Sequence, residues 1–217
     1  MTKVFVAGGS GRVATALIKD LVAAGNEVVA AARHPEKIIK DNQVTALKMD
    51  LHASVDQLKK QMTGCSAVYF VAGSRGKDLL QTDAFGAVKT MQAAKLAGIR
   101  RYIMLSSMYA LQPEKWSQYP ALAAITDYNI AKFFADNYLV EQSGLDYTII
   151  QPATLTEDQA TGKVTFGEGD DTTNPIADVA SVLAGALKYD NTIGQVIMMR
   201  SGDTPIDDAL SQVGSTK

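Results

Sequence analysis

A chain of 217 residues with 47% hydrophobic content is long enough for one sizeable core and short for two domains. Its formal charge of −2, with no basic run, argues against nucleic acid as the main partner. No basic segment followed by an apolar stretch opens the chain and no apolar run reaches membrane-spanning length, so one cytoplasmic, soluble domain over residues 1–217 is expected.

The first element is an apolar strand, Lys3 to Ala7, which runs through Gly8-Gly9-Ser10-Gly11 into a helix, Arg12 to Ala24. A strand, a glycine turn and a helix in this order build a dinucleotide phosphate site. Gly8 can take backbone angles closed to other residues, and Gly11 has no side chain to keep a pyrophosphate from the first helical turn. The N–H groups of Gly11, Arg12 and Val13 are expected to face the anion, with Gly9 and Ser10 completing the turn. Ala14 stands where a small residue lets helix and strand pack closely. Arg12 supports a ligand, because a cation in the first turn opposes the helix dipole unless an anion sits beside it.

Glu27 to Ala32 and Val44 to Met49 are the next strands. An acidic residue about twenty positions past the glycines usually ends the second strand and binds the adenosine ribose hydroxyls. Here that strand runs into Arg33-His34, and a guanidinium pairs with a 2′-phosphate, so NADP is favoured and NAD remains possible. Asp50, closing the third strand beside Leu51, is placed to accept a hydrogen bond from the adenine amino group. His34 and His52 lack metal-pair spacing and read as surface or turn residues; no metal site is expected. A helix follows over Val55 to Met62. Cys65 has apolar neighbours, which suits a buried structural thiol better than a nucleophile. The strand Ala67 to Ala72 ends on Ala72-Gly73, leaving room for a cofactor, and Ser74-Arg75-Gly76-Lys77 is either a polar turn or a contact for an anion.

Beyond it come a helix over Asp78 to Leu96, a strand over Arg101 to Ser106, a loop from Met108 to Pro120 and a helix over Leu122 to Gln142. A strand over Tyr147 to Gln151, a loop from Ala153 to Asn174, a helix over Ile176 to Leu187, a strand over Gln195 to Met199 and a short terminal helix over Pro205 to Val213 complete the chain. Several helices stop at a glycine, as at Gly25, Gly98 and Gly144. The strands are nearly continuously apolar, as strands covered on both faces must be, so the pattern is a doubly wound α/β parallel sheet. Ligands of such sheets bind beyond the carboxyl ends of the strands, where the loops at 108–120 and 153–174 are expected to wall a small-molecule substrate pocket. Trp116 and Tyr119 could stack on a flat substrate or pin their loop. Glu168-Gly169-Asp170-Asp171 lacks calcium-loop spacing and reads as solvated. Ile130, Phe133, Phe134 and Tyr138 read as the core face of their helix.

Tyr128-Asn129-Ile130-Ala131-Lys132 carries the chemistry. Positions four apart share a helix face, so the phenol and the ammonium can address one ligand. An isolated phenol is a poor acid at neutral pH, and a nearby cation favours its anion. Tyr128 would give a proton to a carbonyl oxygen during reduction, and Lys132 would also bind the nicotinamide ribose. The spacing alone is common; its place on the helix after Leu105-Ser106-Ser107 gives it weight. A hydroxyl there could hold the substrate carbonyl, Ser107 first and Ser106 in reserve.

The glycine pattern, the Leu105-Ser106-Ser107 strand end, the Tyr128 to Lys132 motif and Leu145-Asp146-Tyr147-Thr148-Ile149-Ile150-Gln151-Pro152-Ala153 together resemble the atypical short-chain dehydrogenases/reductases. The likeness is to small bacterial proteins of the NmrA-like and biliverdin-reductase/flavin-reductase branch, and it extends to Ala160-Thr161-Gly162-Lys163-Val164 and Ser201-Gly202-Asp203-Thr204-Pro205. It implies an NAD(P)-binding Rossmann fold, cofactor contacts at Gly8, Gly11, Arg12, Arg33 and Asp50, and a Pro152-Ala153 segment near the nicotinamide. The resemblance assigns no structural asparagine. The expected function is NADPH-dependent reduction of a small carbonyl or quinone-like substrate by a monomer or homodimer. The alternatives are a non-catalytic NADP(H) sensor of the NmrA-like kind and an NAD-dependent epimerase or dehydratase.

Overall fold

A computed structural model describes residues 2–169 and 173–214. Strand β1 (Lys3–Ala7) lies at its centre, and Val4, Phe5, Val6 and Ala7 are fully buried. Successive side chains point to opposite faces. Val4 and Val6 therefore join a core with α1 (Arg12–Ala23), while Phe5 and Ala7 join a second core on the other face. A strand buried on both faces has no position for a polar residue, which is why β1 is apolar from Val4 to Ala7.

Strands β2 (Glu27–Ala32) and β3 (Val44–Lys48) extend the sheet in parallel on one side of β1. After α2 (Val55–Gln61), β4 (Ala67–Phe70) pairs in parallel on the other side. The chain continues through α3 (Phe85–Leu96), β5 (Arg101–Leu105), α4 (Pro120–Ala123), α5 (Thr126–Glu141) and β6 (Asp146–Pro152). Then come β7 (Thr154–Thr156), β8 (Lys163–Phe166), β9 (Thr173–Pro175) and α6 (Ile176–Ala186). The last elements are β10 (Gln195–Ser201), β11 (Thr204–Pro205) and α7 (Ile206–Ser211). Among the described residues the main sheet runs β11-β8-β10-β6-β5-β4-β1-β2-β3, and β7 pairs with β9 apart from it. Helices α1 and α6 pack on one face, and α2, α3 and α5 on the other. This is the doubly wound α/β fold. Its strand order reverses between β1 and β4, which opens a crevice at their carboxyl ends.

Several local expectations are corrected. The sheet is not wholly parallel, because β8 runs antiparallel to β10 and β11 at one edge. Strand β8 lies inside the stretch expected to be irregular; its four residues bury only Val164, too short a pattern to betray alternation. The helix expected from Asp78 begins with a π-helical turn over Leu79–Ala84 and becomes α-helical at Phe85. The wide turn carries Asp83 into full burial, where its Oδ2 accepts the Ser74 N–H at 3.0 Å. The helix expected over Leu122 to Gln142 is two helices broken at Ile125, and Asn129 spans the break by donating its side-chain amide to the Leu122 carbonyl at 2.8 Å. The face Ile130, Phe133, Phe134 and Tyr138 is not the core face: Phe134 is 61% exposed, and α5 buries Ala131, Ala135 and Leu139 instead. Cys65 is buried as expected, and desolvation pushes its thiol up. Glu168 faces Lys115 at 3.5 Å, while Asp170 and Asp171 lie outside the described residues.

Candidate functional site

The crevice leads into a cleft of about 1230 Å³ along the carboxyl ends of the central strands. Its floor is the turn after β1. Gly8 sits at φ +93°, and a Cβ there would come within 2.5 Å of the Ala72 Cα at the end of β4, so no side chain fits. Gly8 and Gly9 both donate their N–H groups to the Ala31 carbonyl, at 2.9 and 3.0 Å, which fastens the turn to β2. Gly9 packs under the turn against Ala30 and does not line the cleft, whereas Gly8, Ser10 and Gly11 do. One expectation fails here. The Gly11 N–H donates to the Gly8 carbonyl at 3.0 Å to close the turn, so the donors left for an anion begin with Arg12 and Val13, whose N–H groups open α1 and have no acceptor inside the helix. The anion beside the Arg12 guanidinium is the carboxylate of Glu157, at 2.6 Å across the mouth of the cleft.

The half of the cleft beside β2 and β3 is lined by Arg33, His34, Lys37, Asp50 and Leu51. Asp50 accepts the His52 N–H at 2.9 Å, and the His52 imidazole reaches Asp78 at 2.7 Å. Hydrogen bonds from His52 and Thr82, with the charge of Arg33, hold the Asp78 carboxyl below its usual range. The segment after β4 therefore folds back toward this side and brings Arg75 and Lys77 into the lining with Ala72, Gly73 and Ser74. The Ser74 hydroxyl is buried without a partner among the described residues.

The other half holds the expected chemical residues. Ser107, Tyr128 and Lys132 line it together with Pro152 and Ala153. Lys132 is 3% exposed; its ammonium donates to the Leu105 carbonyl at 3.2 Å and lies 5.6 Å from the Tyr128 ring centroid and 5.9 Å from that of Phe70. Ser106, the reserve hydroxyl, is turned into the protein and donates to Asp136 at 2.7 Å. This leaves Ser107 as the half-buried serine of the pair.

Asp136 is the residue that reading the sequence missed. It is fully buried, accepts from Ser106 and from the Gln151 amide at 2.9 Å on one oxygen, and leaves the other unpartnered among the described residues. Burial pushes its carboxyl up to about 6 against the pull of those hydrogen bonds and of Lys132. Its spacing was a usable signal, since Tyr128, Lys132 and Asp136 recur at intervals of four on one helix face.

The loop before α4 is held by aromatic residues. Tyr109, at φ +57°, stacks on Tyr119 with ring centroids 5.0 Å apart, and the two hydroxyls lie 3.0 Å from each other. Arg200 donates to the Tyr109 hydroxyl at 3.1 Å, and Trp116 donates to the Tyr109 carbonyl at 2.8 Å. Trp116 thus pins the loop, and Tyr119 lines the cleft. Among the described residues no cluster of three or more His, Cys, Asp or Glu suits a metal, and no helix is long and apolar enough to cross a membrane.

Known proteins are similar to this chain over nearly its whole length. A Lactococcus lactis structure called the oxidoreductase ylbE is 42% identical, with a TM-score of 0.94, covering 97% of this chain and 96% of that one. A Bacillus subtilis protein named uncharacterized sugar epimerase YhfK is 32% identical over 97% of this chain and 100% of its own length. A Veillonella parvula short-chain dehydrogenase/reductase in complex with NADP has the same fold at 18% identity, with a TM-score of 0.76 over 95% of this chain and 98% of that one. The model of the NAD(P)H-binding family matches residues 8–190, and the chain belongs to that family.

Proposed function

We propose that this protein is an NADPH-dependent reductase of a small carbonyl or quinone-like acceptor, with Tyr128 as proton donor. The observation that carries the reading is that Tyr128, Lys132 and Ser107 line the same cleft as the helix-opening donors of Arg12 and Val13. The residues fit a dinucleotide: the Gly8 turn is closed to any side chain, and Arg33 and Lys37 offer charge for a 2′-phosphate. Bound reduced nicotinamide supplies a hydride to the carbonyl carbon. Tyr128 gives the oxygen its proton as the carbon takes up that hydride, so C=O becomes CH–OH. Ser107 donates to the same oxygen and orients it. Lys132, held by the Leu105 carbonyl beside the phenol ring, would bind the nicotinamide ribose.

The test is Tyr128→Phe, which should keep NADPH affinity within about twofold and lower turnover about 10²- to 10⁴-fold. Unchanged turnover removes Tyr128 from the chemistry. The name of the Bacillus subtilis relative motivates a second reading, epimerisation, in which the hydride returns and no net cofactor oxidation occurs. Cofactor retained through purification, with no net NADPH consumption, favours that reading. Binding without any turnover favours a sensor.

A further inference from the structure

Resting on the reductase reading, we infer that the acceptor is a neutral, largely apolar carbonyl compound, without the phosphate or carboxylate of a sugar nucleotide or an acidic metabolite. Charge along the cleft is segregated. Arg33 and Lys37 stand at the β2 and β3 side, and the contact of His52 with Asp78 at 2.7 Å folds the segment carrying Arg75 and Lys77 back toward it. At the opposite end the walls are Met108, Tyr119, Leu122, Ile125, Ala153 and Leu155.

Among the described residues lining that end, Lys132 carries the only full charge, and it is committed. Lys132 is 3% exposed and its ammonium already donates to the Leu105 carbonyl. The Arg12 guanidinium at the mouth is held by Glu157 at 2.6 Å. An anionic substituent entering here would give up hydration for a single ammonium that already serves Leu105, whereas an apolar ring would gain by leaving water. The wall is also braced: Tyr119 is stacked on Tyr109, which is backed by Arg200 and tied by Trp116. The Tyr128 and Ser107 hydroxyls suffice for the oxygen of one carbonyl.

The experiment uses the full chain. NADPH binding is measured first by calorimetry; its absence overturns the reductase reading itself. The NADP⁺-loaded protein is then titrated with 1,4-naphthoquinone and with its 2-sulfonate, and both are assayed as acceptors with NADPH. The neutral quinone should bind and turn over at least about tenfold better, the cost of one unpaired charge in a partly buried site. Ile125→Lys, at a position 42% exposed in the helix break, should narrow that preference at least about fivefold and leave NADPH affinity within about twofold. Equal or better use of the sulfonate by the unaltered protein, or binding of neither quinone to a protein that binds NADP⁺, overturns the inference alone.

Discussion

Asp136→Asn tests the buried network under the chemical residues by its pH dependence. The carboxyl moves from 3.8 to about 6 because burial disfavours its charge more than Ser106, Gln151 and Lys132 favour it. A raised acid contributes stability that is fully present below 3.8 and is lost as pH climbs through about 6. Across that window the loss totals about 3 kcal/mol, of which roughly half falls between pH 5 and pH 8. Asparagine keeps a carbonyl oxygen for Ser106 and Gln151 and cannot ionise, so it removes this slope. Urea unfolding at both pH values should show the variant gaining on the unaltered protein as pH rises, by roughly tenfold in the folding equilibrium. A difference between the two proteins that is constant with pH, or that shrinks, refutes the claim that desolvation dominates at Asp136.

Arg33→Ala should weaken NADPH about tenfold, the worth of one charge-assisted contact, and leave NADH within about twofold by calorimetry; equal losses mean that Arg33 does not read the 2′-phosphate. Gly8→Ala places a methyl 2.5 Å from the Ala72 backbone at φ +93°, and it should lower the unfolding temperature and abolish NADPH binding; a stable variant that binds would show that the turn can yield. Glu157→Gln frees Arg12 from an exposed pair, so NADPH binding should tighten a few-fold while thermal unfolding stays put, because such pairs add little stability. Unchanged affinity would mean that Arg12 has no part in holding the dinucleotide.

What could be read from the sequence follows the range of the forces involved. Strand β1 and its turn were legible because their constraint is local: four consecutive apolar residues need two covers, and Gly8 must tolerate φ +93° against β4. The single-chain pattern of strands and helices carried the doubly wound order for the same reason. Features set by contacts distant in the chain were not legible. The break at Ile125 depends on Asn129 reaching back to Leu122, and the π-turn depends on Asp83 meeting Ser74. Ser106 and Ser107 are chemically identical in the sequence, and only Asp136, thirty positions later, tells them apart by claiming one hydroxyl. The Arg12 argument shows the opposite failure. A cation in the first helical turn did call for an anion, yet Glu157 answers that call from just past β7, and the dipole argument carries no information about which anion arrives. The exposed Phe134 marks a further limit, since a helix with apolar residues around most of its circumference does not declare which face the sheet will choose; here the small residues Ala131 and Ala135 take the inner side, where α5 must come close enough for Lys132 to reach the end of β5.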